Sequence, residues 1–241
     1  MRATFATLAL ATPFLMGTLS WGGSAQADTL ELIVDRVPYG VELYLRGPAT
    51  AAESVFDLPP AAFEDAEGEI RFDDFRQVGT ADIGDAMFAN VSATLDGEAA
   101  ALETISLMVH PVEAPLPFAT PFDGLVSIEI CTVPTPEGQI TLADLEMYAG
   151  FVAYTENTSA EVVLGRPVGL GTPSTVNVRM FEHGEFTDAW NADWAPGEAL
   201  VIPEGKRPPF VEPSMAFGIA AALFALLAVA TGRRPKRSQA A

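Results

Sequence analysis

The chain has 241 residues, 49% of them hydrophobic, with 13 Lys plus Arg against 32 Asp plus Glu and a formal charge of -19. A surface this acidic repels nucleic acid and anionic lipid, which removes both as partners of the body. One cysteine, Cys131, removes any internal disulfide.

The first 27 residues read as an export signal. Arg2 precedes an apolar run from Phe5 to Leu19, and Ala25-Gln26-Ala27 supplies a small-residue cleavage site before Asp28. Residues 28–202 then form one exported acidic domain with no internal repeat. From Asp28 to Phe210 there are 8 basic and 31 acidic side chains, spread along the chain rather than clustered.

Strand signals dominate this domain. Thr29–Asp35 and Val41–Leu45 alternate around a Pro38-Tyr39-Gly40 turn. Asp57–Asp85 is acidic and weakly periodic, and is expected to hold one or two short helices. Further strands are expected at Ile105–Val109, Leu125–Val133, Met147–Thr155, Ala160–Leu164, Thr175–Phe181 and Ala199–Ile202. Pro111–Pro121 carries four prolines and reads as a crossing loop. Phe151–Thr155 with Ala160–Leu164 forms one expected hairpin. Val176–Phe181 with Glu185–Ala189, closed around Gly184, forms another. The fold class that follows is all-β, an antiparallel β-sandwich of immunoglobulin-like or jelly-roll-like type, with a short helical or loop insertion.

Chemistry is marked mainly by motifs that are missing. The chain has two histidines, His110 and His183, and lacks C-x-x-C, H-E-x-x-H, G-x-S-x-G and Walker-type runs. No catalytic residues, cofactor or metal ligands are assigned. The acidic runs Asp65–Glu69 and Asp82–Asp85 match no EF-hand loop. One constellation suits a sugar ring: Trp190 and Trp194 lie four apart beside Asp188 and Asp193, combining flat aromatic faces with carboxylates. The closing layer of the sandwich core is the preferred reading of the same two tryptophans.

The C-terminal segment fixes an address. Residues 203–214 form a Pro-rich spacer, and Met215–Gly232 holds no charge over 18 residues, enough helix for roughly 27 Å of hydrocarbon. Arg233, Arg234, Lys236 and Arg237 then mark residues 233–241 as the cytoplasmic side of a single-pass transmembrane helix. With the export signal at the other end, the bulk is expected on the periplasmic or extracellular side of the cytoplasmic membrane.

The order of these features, Val211-Glu212-Pro213-Ser214, then an Ala/Leu-rich span, then an Arg-rich end, resembles the C-terminal sorting domain of bacterial PEP-CTERM proteins. Val211 stands where that pattern has its first proline. The resemblance covers about the last thirty residues. It implies handling by a sorting protease and release or attachment at the cell surface. The function expected from the whole chain is a binding or structural β-domain in the envelope or matrix, its partner a polysaccharide or another envelope protein. The alternatives are a carbohydrate-active envelope hydrolase with unidentified carboxylates and a calcium-dependent adhesion module.

Overall fold

The computed structural model describes residues 29–65, 67–71, 80–130, 140–168 and 171–205. The regular structure among these residues is mostly β-strand, in two sheets, with few helices. The larger sheet begins with β1 (Thr29–Val37) and β2 (Gly40–Pro48), joined by the expected Pro38-Tyr39 turn. Both strands bury alternate residues on both faces, as central strands do. Then follow α1 (Ala51–Phe56), a 3₁₀ turn (Pro60–Ala62) and α2 (Thr80–Phe88), helices in or beside the segment where short helices are expected.

β3 (Ser92–Leu95) and β4 (Glu98–Ala99) form a small hairpin, then come β5 (Glu103–Pro111) and α3 (Pro121–Glu129). A second 3₁₀ turn (Leu142–Asp144) leads to β6 (Leu145–Tyr154), β7 (Val162–Gly165), β8 (Ser174–Glu182), β9 (Glu185–Trp194) and β10 (Ala199–Ile202). The six-stranded sheet has the order β5-β6-β2-β1-β8-β9, and the four-stranded sheet the order β10-β7-β3-β4.

Residues of both sheets meet in one apolar core. Leu32, Val34, Leu43, Phe151 and Val178 from the larger sheet share it with Ala93, Leu164 and Leu200 from the smaller one, and α1 and α2 add Phe56 and Met87. The opposite face of the larger sheet carries a second cluster of Ile33, Tyr44, Tyr148 and Phe181, capped by Ile128 of α3 and Phe118 of the loop before it. That loop is the Pro-rich crossing. It is pinned by the Leu116 N–H donating to the Tyr148 hydroxyl at 3.1 Å and by Arg179 donating to the Phe118 carbonyl.

Three expectations are corrected. The sheet is not purely antiparallel, because β1 runs parallel to β8 from Thr29↔Thr175 to Arg36↔Glu182. Alternation along a strand says which face is buried but not which strand lies beside it. The segment expected as a strand over Leu125–Val133 is helical as far as Glu129. Thr120 caps α3 reciprocally with Asp123, Pro121 occupies the first turn, and Pro121, Gly124, Ser127 and Ile128 are buried at helical spacing. The capping box overrides the alternation of Val126, Ile128 and Ile130. The expected hairpin of Phe151–Thr155 with Ala160–Leu164 does not form, since β6 is flanked on both edges by β2 and β5 while β7 joins the other sheet.

The hairpin around Gly184 does form. His183 and Gly184 both have positive φ, 55° and 78°, the two-residue geometry that matches strand twist. Among the described residues no helix is long and apolar enough to cross a membrane. The expected signal, the span 215–232, the sorting residues Val211, Glu212, Pro213 and Ser214, the basic residues Arg233, Arg234, Lys236 and Arg237, and Cys131 all lie outside the described residues.

Candidate functional site

A cleft opens where the β3–β4 hairpin of the smaller sheet faces the ends of β5 and β6. Its volume is about 560 Å³, and its lining includes Asp96, Glu98, Glu103, Tyr154 and Asn157. The hairpin turn Asp96-Gly97 has φ of 50° and 81°, so its backbone demands Gly and a residue that tolerates the left-handed region. Asp96 is then held rigidly. Its carboxylate accepts from the Asn157 side-chain amide at 2.6 Å and from the Glu161 N–H at 2.8 Å, and its own N–H donates to the Glu161 carbonyl at 2.9 Å. These bonds lock the tip of the smaller sheet to the chain that leaves β6.

Tyr154 ends β6 and is 59% exposed, and Tyr39, 53% exposed, lies beside it, ring centroids 6.2 Å apart and tilted by 40°. Two aromatic rings left in water side by side form an apolar surface that a ligand can cover. The Tyr39 hydroxyl donates to Glu42, and that bond, with a smaller contribution from burial, pushes its pKa up to about 12. Tyr44 donates to the other oxygen of Glu42 at 2.8 Å, and burial first, then this bond, raises its pKa. Glu42 is thereby fixed between two phenols, and Tyr39 cannot swing freely. The Thr155 N–H donates to the Tyr39 carbonyl at 3.2 Å, which joins the turn of β1–β2 to the end of β6.

A second hollow of about 500 Å³ adjoins the first. It shares Ala100, Ala101 and Glu103 with it and adds Asp85, Phe88 and Thr104. Thr104 donates to Asp85 at 2.5 Å, tying α2 to β5. Among the described residues no Lys, Arg or His lines either hollow.

The tryptophan constellation is distributed differently. Trp194 is 2% exposed, packs edge-on against Phe56 at 6.1 Å, and donates its indole N–H to the Glu198 carbonyl at 3.3 Å. Trp190 is half-buried against the same core. Asp188 and Asp193 are exposed and, five residues apart on β9, lie on opposite faces of the strand. The four residues therefore do not converge on one surface.

No family model matches the chain, and no curated protein does. Chemical assignment therefore rests on the geometry.

His110 is sealed at 0% exposure between β5 and α3, edge-on to Tyr148 at 5.0 Å. Its Nε2 lies 2.9 Å from the Ser127 carbonyl, which only accepts, so the proton is on Nε2 and Nδ1 is bare. Burial lowers its pKa. A ring placed there packs the interior and meets no solvent-borne substrate. Asp35 and Glu42 are directly opposed across β1–β2, a carboxylate pair of the kind a hydrolase uses. Asp35, however, is 5% exposed and accepts from the Gly184 N–H at 3.1 Å; burial raises its pKa. It serves the β8–β9 turn.

Arg46 is forked onto Glu146 at 2.8–3.1 Å, and Glu146 also accepts from Tyr148 at 2.7 Å, so this charge network supports the Pro-rich loop. Asp65 closes its own turn by accepting from the N–H groups of Glu67 and Glu69. Among the described residues no group of three His, Cys, Asp or Glu side chains is placed to hold a metal ion.

Neither Tyr39 nor Tyr154 is marked by local spacing, since only the fold joins the β1–β2 turn to the end of β6. Asp96-Gly97 is different. An Asp-Gly pair is a strong hairpin signal, and it stands in the sequence.

Proposed function

We propose that this chain is an exported, membrane-tethered or surface-sorted β-sandwich protein that binds a polysaccharide of the envelope or surrounding matrix without turning it over. The single observation that carries the binding role is the cleft. An open surface lined by exposed Tyr154, which has Tyr39 beside it, and by rigidly held amide and carboxylate groups suits a sugar, which offers apolar ring faces and hydroxyls together. Two sheets sharing one core support a sandwich plan of immunoglobulin-like or jelly-roll-like type, varied by one parallel pair. Export, the span over 215–232 and processing near Val211–Ser214 are supported by the order of segments in the sequence, and the Pro-rich spacer would stand the cleft off from the bilayer.

The test is incubation of the purified full-length protein with a panel of envelope and matrix polysaccharides, read for retention and for release of reducing ends. Retention without product, lost in Tyr154→Ala, is the expected result. Reducing ends that accumulate with time would replace the binding role with a hydrolase. Retention equal in Tyr154→Ala would move the site elsewhere. Mass spectrometry of the C-terminus of protein recovered from cells addresses sorting, and an intact Ala241 would leave a plain anchor.

A further inference from the structure

Resting on the reading of the cleft as a glycan site, we infer that its ligand is a cationic amino-sugar chain, with free ammonium groups in place of some N-acetyl groups. Three features converge on this chemistry. The first is shape: the two hollows are contiguous through Ala100, Ala101 and Glu103, so the surface is an elongated trough rather than a cup for one ring. Ala99, Ala100 and Ala101 give it a floor of methyl groups over which an extended polymer can lie.

The second feature is charge. Asp96, Glu98, Glu103 and Asp85 line the trough, and among the described residues no cationic side chain does. Asp96 is held by Asn157 and attracted by Arg36, which sits behind Ala160, and Asp85 is held by Thr104, which leaves Glu98 and Glu103 to meet a ligand. A uronic or sulfated chain would face these like charges, and a neutral chain would leave Glu98 and Glu103 unused. The ring pair is the third feature. Tyr39 hands its phenolic proton in a hydrogen bond to Glu42, which increases the negative character of its ring, and Tyr154 lines the trough beside it. Aromatic faces next to carboxylates form the environment in which an ammonium group is held. A sugar bearing that ammonium also supplies the flat apolar face that stacks.

The experiment uses calorimetric titration of the full-length protein with three probes of matched length: a glucosamine oligomer, its N-acetylated counterpart and an oligolysine. The glucosamine oligomer is expected to bind, with affinity that falls as salt rises. Tyr154→Ala should weaken it about ten-fold, the size of a lost cation–aromatic contact. The double variant Glu98→Gln with Glu103→Gln should weaken it and flatten its salt dependence. These positions are exposed, and a thermal melt matching the parent confirms that each variant is folded.

Equal binding of the N-acetylated oligomer would overturn the charge assignment while leaving the cleft a glycan site. Oligolysine that binds as well as glucosamine, with no effect of Tyr154→Ala, would reduce the trough to an acidic surface and overturn the sugar assignment. Failure of both sugars to bind would overturn the inference, and the polysaccharide panel would then decide the binding role by itself.

Discussion

Gly40 gives the most demanding check on the architecture beneath the cleft. It opens β2 opposite Tyr154, next to Tyr39. A Cβ added there would overlap the Ala153 carbonyl oxygen outright and lie 3.1 Å from Tyr154 Cα. Every one of these neighbours is backbone, so no side chain can rotate away, and β2 and β6 must part. Overpacking of this kind costs about 1–3 kcal/mol, against a gain of about 0.5–1 kcal/mol from the stiffer unfolded chain when Gly becomes Ala.

Gly40→Ala should therefore lower stability by about 1–2 kcal/mol, or roughly 2–8 °C in melting temperature for a domain of this size. Gly184→Ala is the control. Its φ is +78° and nothing lies within 4 Å, so it carries only the left-handed backbone cost of about 1 kcal/mol. Urea denaturation followed by circular dichroism measures both variants. Near-ultraviolet tyrosine signals, which report the Tyr39–Tyr154 pair, should change in Gly40→Ala alone. A Gly40→Ala midpoint at or above the parent's would refute the β2–β6 register, and with it the placement of the two rings.

Other predictions concern the supports of the fold. His110 has a folded pKa below the ordinary 6.5, so its unfolded form takes up a proton first. Stability present above pH 6.5 is then lost as pH falls towards the folded value, at up to about 1.4 kcal/mol per pH unit, and His110→Gln should flatten that slope in denaturation series. Asp35 is shifted the other way, so its contribution declines as pH rises above about 3.8. Asp35→Asn keeps an acceptor for Gly184 and should melt no lower than the parent at pH 7. Thr120→Ala removes the α3 cap and should cost about 1 kcal/mol, with faster hydrogen exchange confined to Pro121–Glu129. Trp194→Ala should cost about 3–5 kcal/mol and Trp190→Ala less, read by thermal melts; equal small losses would contradict the burial of Trp194.

What the sequence reveals depends on how local its cause is. β1, β2, β8, β9 and β10 are legible because alternation coincides with turn residues that allow only one reversal, as at Pro38-Tyr39-Gly40 and His183-Gly184. α3 is written in Thr120-Pro121-Phe122-Asp123, a start signal that outweighs the β-branched alternation behind it. The β3–β4 hairpin is announced by Asp96-Gly97 but hidden by the shortness of its strands. Neighbours distant in the chain leave no such mark. The parallel β1–β8 pair and the separation of β6 from β7 follow from how two sheets share one core. The aromatic cleft inherits that obscurity. Trp190 and Trp194 draw attention by adjacency, whereas Tyr39 and Tyr154 meet only after the larger sheet has assembled.

Arg36 carries a mechanical consequence. Its guanidinium, on central strand β1, donates to the carbonyls of Thr158 and Ala160 at 2.7 and 2.8 Å and to that of Pro203 at 2.7 Å. Tension on the chain beyond Gly205 would otherwise peel β10, an edge strand paired only to β7, one ladder bond at a time. The Gly205 N–H, bonded to the Ser159 carbonyl at 3.0 Å, and then the arginine meet that load before β10 does, and the arginine passes it into a strand paired on both sides. Rupture then requires several bonds to shear together, and a pull from the C-terminal side leaves β10 seated on β7 until the clamp fails.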